Sequence, residues 1–152
     1  MTLDLWHIII TATLDVRLLL DKTLTIAPGP KKVSAEPTAA IGPAVQSRLR
    51  RELLDKLGEL RSSLRALLSE KEAGMVLLPL VIHIDELVMR RLSREEQIQW
   101  PLLQKELFDI LHGGEVFFEF ATERLSKPDT PAILFQVLYF CLSDGFVGTF
   151  AN

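Results

Sequence analysis

The residues with the greatest chemical reach are two histidine–carboxylate pairs, His83 with Glu86 and Asp109 with His112. Each pair is three positions apart, so on a helix each would share one face. Carboxylate and imidazole groups facing inward from bundle helices are how di-iron bundles hold their metals. Here the first pair runs in the reverse order, and two further glutamates would have to converge. A metal-binding helical-bundle enzyme using His83, Glu86, Asp109 and His112 therefore stands as the alternative reading, and no cofactor is expected. One cysteine, Cys141, cannot close a thiolate zinc site. It falls among bulky apolar residues, where cysteine behaves as a small hydrophobe. Ser143 beside Asp144 has no histidine near it in sequence, and Gly113-Gly114 lacks the wider spacing and lysine of a phosphate loop.

The other acidic residues have plainer explanations. Glu86 precedes Arg90 by one turn, the favoured order for an intrahelical ion pair. Glu115 falls at the start of an expected helix, where a carboxylate meets the positive end of the dipole. Asp85 lies beside an apolar face and, if buried, must find a hydrogen-bonding partner in another helix or subunit. Glu106, Glu119 and Asp144 complete the set.

The bulk numbers fit a single domain over residues 1–152. The chain is 48% hydrophobic and 24% charged, enough apolar mass for a core and against wholesale disorder. A formal net charge of -3 offers no basic field to nucleic acid. A lone cysteine suits a reducing compartment. The apolar run near the N-terminus is interrupted by Asp4, Asp15 and Arg17, so it fits neither a signal peptide nor a membrane span.

Helical periodicity organises what remains. Leu3 to Asp21 reads as a helix burying Leu5, Ile8, Ile9, Ala12 and Val16. Residues 23–43 are rich in proline and glycine and read as a loop or linker. Ala44 to Lys71 carries a leucine stripe at 49, 53, 57, 60, 64 and 67, the clearest amphipathic helix in the chain. Met75 to Leu92 is helical despite Pro79. Trp100-Pro101 opens a helix that places Leu103, Leu107, Ile110 and Leu111 inward and ends at Gly113-Gly114. Another begins at Glu115 and closes at Lys127-Pro128. Thr130 is expected to cap a last helix, with Pro131 at its first position. Its run AILFQVLYFCL, apolar on nearly every face, predicts the central buried helix. The sum is an all-α bundle of about six to eight helices.

Three stretches then carry a family resemblance: PLVIHIDELVMRRL, WPLLQKELFDILHGGEVFFEF and FQVLYFCLSDGFVGTF. In order, the Asp85-Glu86 pair, the Trp100 helix, the Gly113-Gly114-Glu115 turn with Phe117 and Phe118, and the closing Leu142-to-Gly148 segment resemble the DotU/TssL family of type IV and type VI secretion proteins. The likeness covers roughly residues 75–150. It implies an all-helical cytoplasmic domain of two small bundles in a hook-like arrangement, with no catalysis. It also implies tethering to the bacterial inner membrane by a C-terminal transmembrane helix. The implied partners are an IcmF/TssM-like membrane protein, baseplate components and, in type VI systems, an outer-membrane lipoprotein, and a homodimer is open to it. Asp85, Glu86, Trp100, Glu106, Gly113, Gly114, Glu115, Phe117, Phe118, Asp144, Gly145 and Gly148 would shape the domain or its protein contacts. The run to Asn152 shows no anchoring span, which predicts a soluble piece or a protein without the anchor. Thr149 stands where relatives often carry a basic residue, so no binding role is expected at that end.

Overall fold

A computed structural model of the chain describes residues 2–24 and 42–148. Seven helices follow one another among the described residues: α1 (Thr2–Leu24), α2 (Pro43–Arg65), α3 (Glu70–Arg91), α4 (Arg94–Gln99), α5 (Leu103–Phe108), α6 (Gly113–Leu125) and α7 (Ala132–Ser143). Among the described residues there is no strand, and the fold is all-α. The proline- and glycine-rich stretch expected at 23–43 lies, from 25 to 41, outside the described residues, and so does Thr149.

The long helices form where apolar residues recur at helical spacing. On α2 the stripe Leu49, Leu53, Leu57, Leu60 and Leu64 is buried. It faces α1, whose Leu5, Ile9, Val16, Leu19, Leu20 and Leu24 are buried in return. Each leucine so buried contributes roughly 1.5–3 kcal/mol. Expected to reach Lys71, α2 stops six residues earlier, and Leu67 lies beyond its end. The break is chemical. Ser69 accepts from the Glu72 N–H, and the Glu72 carboxylate accepts from the Ser69 N–H, a reciprocal cap that starts α3.

α3 is the central helix. α2, α5, α6 and α7 all pack against it, and α1 packs on α2 and α7. Thirteen of its residues are buried, Pro79 among them. The expectation that α7 would hold the centre is corrected. Its inner face, Ile133, Leu134, Val137, Leu138 and Cys141, is buried, but Tyr139 is 74% exposed, and Phe135 and Leu142 are also open. Apolar composition all round does not place a helix centrally when only one of its faces finds neighbours.

Three more boundaries differ from expectation. A short α4 precedes Trp100, started by a second reciprocal cap between Ser93 and Glu96. Trp100 therefore ends α4 rather than opening the next helix, and α5 begins at Leu103. α5 ends at Phe108 because Asp109 turns left-handed (φ 58, ψ 41), short of Gly113-Gly114. That early stop leaves Leu107 and Leu111 exposed, and only Leu103 of the four residues expected inward is fully buried. Pro131, not Thr130, is the residue before α7, and the Thr130 hydroxyl instead donates to the Arg124 carbonyl.

Candidate structural and interaction site

Polar side chains are placed in the middle of the most buried helix, and each is answered by a specific partner. Asp85 is 2% exposed. Its Oδ1 accepts from the Trp100 indole N–H (3.2 Å) and the Leu103 backbone N–H (3.0 Å), and its Oδ2 from the Gln104 N–H (2.8 Å). Leu102, the residue before α5, has no side chain able to cap that helix. Asp85 supplies the missing acceptor from across the interface, meeting orphan donors at a helix start. Burial pushes its carboxyl pKa up, against the opposing pull of these hydrogen bonds and the Arg50 charge. From the other side Arg50 donates to the carbonyls of Pro101 (2.7 Å) and Leu102 (3.4 Å) and pairs with Glu106 (2.7 Å). The Trp100–Leu102 turn is thus held at both edges. Gly113 completes this corner: a Cβ there would overlap the buried side-chain amide of Gln104.

Glu86, the next residue, reaches a different segment. Its Oε2 accepts from the Val147 N–H (3.0 Å) and its Oε1 from the Gly148 N–H (2.9 Å). Arg90, one turn on, pairs with Glu86 (2.5 Å) and also donates to the Gly145 carbonyl. Between these bonds Phe146 is buried and stacks on Phe117 at 4.2 Å between centroids, with Phe118 and the His83 ring around it. Gly145 (φ +104) and Gly148 (φ +55) both occupy backbone conformations that side chains resist. At Gly148 a Cβ would also stand 3.0 Å from the Gly114 carbonyl and 3.0 Å from Phe118. Gly148, Phe117 and Phe118 of the resemblance meet at this one close approach of chain to chain.

His83 joins the same end of α3 to α1 and α7. Its Nε2 lies 2.8 Å from Asp144 Oδ2, and Arg17 of α1 pairs with that same oxygen at 2.5 Å. Burial depresses the His83 pKa, outweighing the carboxylates of Asp144 and Glu86. The ring is therefore neutral at pH 7, with the Nε2 proton donated to Asp144 and no partner for Nδ1. Burial works against the Asp144 carboxylate, but the His83 hydrogen bond and the Arg17 charge prevail and hold its pKa below the ordinary range. Sequence reading did not find this triad, because 61 residues separate His83 from Asp144 and 127 separate Arg17 from it.

The proposed metal pairs do not assemble. Asp109 follows α5 in its left-handed turn and pairs with Lys105, while His112 stands before α6, so the two do not share a helix face. His83 is engaged by Asp144 and Glu86 by the backbone beyond α7. Among the described residues, no three histidine, cysteine, aspartate or glutamate side chains come together as a metal site. Cys141 is buried with its thiol pKa pushed far up, and Ser143 is an exposed residue at the end of α7. Glu115 sits exposed in the first turn of α6, as the dipole argument requires, and Glu119 is exposed one turn later.

Comparison with known proteins gives this arrangement a family. A family model described as the type VI secretion system protein DotU matches residues 35–152. A solved structure of DotU from Francisella novicida is similar in fold, with a TM-score of 0.68 at 24% identity, covering 93% of this chain and 84% of that one. Among curated proteins there is no match. Among the described residues no helix is long and apolar enough to cross a membrane. With its all-α fold and a match over most of its length, the chain belongs to the DotU family of type VI secretion system proteins.

Proposed function

We propose that this chain is a non-catalytic scaffold of the secretion-system membrane complex, acting at the cytoplasmic face of the bacterial inner membrane. In this reading it associates with an IcmF/TssM-like membrane protein and docks baseplate components. A single domain over 1–152 would do this, held at the membrane by a helix outside this sequence. The observation that carries the reading is that Asp85 and Glu86, the acidic pair of the family resemblance, act on the protein's own backbone. Asp85 meets the start of α5, Glu86 meets the segment after α7, and Gly113 and Gly148 make room for the Gln104 side chain and the Gly114 carbonyl. A catalytic site would instead leave such groups facing a cleft. Co-purification of the full-length protein with the co-encoded IcmF-like protein tests the proposal. Retention of the pair through a stringent wash is expected, and its absence from membranes expressing both proteins would count against the scaffold.

A further inference from the structure

The five residues after α7 have an unusual construction. Gly145 and Gly148, both at positive φ, bound the segment, and Phe146 between them is its only buried side chain. Apart from backbone bonds to the last turn of α7, the polar attachments pass through α3 or α1 side chains. Asp144 is held by His83 and Arg17, the Gly145 carbonyl by Arg90, and the Val147 and Gly148 N–H groups by Glu86. One guanidinium therefore touches both the segment and the carboxylate that pins it. Val147 itself is 37% exposed and contributes little burial.

From this geometry we propose that residues 144–148 form a strap that opens and closes as one unit, hinged at Gly145 and Gly148 and pinned by Glu86 and Arg90. Closed, it plugs the aromatic socket of Phe117, Phe118 and His83 with Phe146. Open, it uncovers that socket while the helices keep their packing. The strap rests on no assumption about partners, so it stands or falls separately from the scaffold reading.

Amide hydrogen exchange by NMR on the full chain tests it, because the Phe146 N–H bonds to the Cys141 carbonyl (3.0 Å) and not to Glu86. If the strap moves as a unit, Glu86→Gln accelerates exchange at Phe146 together with Val147 and Gly148, by about tenfold for one weakened charge-assisted bond. Arg90→Gln does the same, because Arg90 both donates to the Gly145 carbonyl and pairs with Glu86 Oε2. Amides in the middle of α3 and α7, which open only with the whole fold, accelerate by no more than the loss of global stability and stay far slower than the strap amides in both variants. Acceleration at Val147 and Gly148 alone would mean independent bonds and would overturn the proposal. So would protection at Phe146, Val147 and Gly148 as high as in the middle of α7, which would make the segment part of global unfolding.

Discussion

Asp85 and Glu86 are neighbours on one helix, and both use a carboxylate to hold two consecutive backbone N–H groups of a segment distant in sequence. Their surroundings differ. Asp85 is sealed under Trp100 and receives an indole N–H, whereas Glu86 keeps an 18% exposed side chain and an arginine partner. The first arrangement is dry, so a missing acceptor there strands donors that water cannot reach. The second is at the surface, where solvent can replace what is lost. The same chemical device thus builds a permanent joint at α5 and a releasable one after α7.

The difference orders the expected effects of substitution. Asp85→Ala should be the most damaging, leaving the Leu103, Gln104 and Trp100 donors unpaired and costing about 3–5 kcal/mol in urea unfolding. Gly148→Ala combines a strained φ with crowding against the Gly114 carbonyl, and a loss of about 1–2 kcal/mol is expected by thermal unfolding. Glu86→Gln should cost about 1 kcal/mol by the same measurement, its loss confined to the surface joint. Glu115→Gln should lower stability by only about 0.3–1 kcal/mol, the worth of one exposed first-turn carboxylate. If Glu86→Gln proved as costly as Asp85→Ala, the contrast between the joints would collapse.

His83 adds a pH test with a definite sign. Its pKa is lowered in the folded protein, chiefly by burial, so the unfolded chain takes up the proton first. The stability contributed by the neutral ring is complete above the unfolded value of about 6.5 and is lost as pH falls below it. Asp144 acts in the same direction further down, its contribution disappearing as pH falls below the ordinary carboxylate range. Calorimetric melting should therefore show the wild type losing stability from pH 7.5 to pH 5.5. His83→Gln should flatten that window and leave the acid limb in place.

Much of the fold is legible in the chain because it is written in local spacing. The leucines of α2 and the apolar faces of α1 and α3 declare themselves by period. So do the two Ser-x-x-Glu caps at Ser69 and Ser93, and the second of these would have revealed α4 before Trp100. Asp85 could be recognised as needing a partner, though not which one. What periodicity cannot express is a side chain satisfied 61 or 62 residues away, Glu86 by backbone N–H groups and His83 by the Asp144 carboxylate. Nor does composition tell which apolar helix is surrounded: α7 is the more apolar throughout, yet α3, with His83, Asp85 and Glu86 in its middle, occupies the centre. Those polar residues looked like candidate chemistry because their partners were out of view.

The claim that Asp85 and Glu86 hold separate joints is tested most directly by a double-mutant cycle of Asp85→Asn and Glu86→Gln in urea. Because the two carboxylates share no partner, the losses should add to within about 0.5 kcal/mol despite their adjacency. An interaction energy above about 1 kcal/mol would mean that α5 and the segment after α7 are held by one coupled network, and would contradict the account.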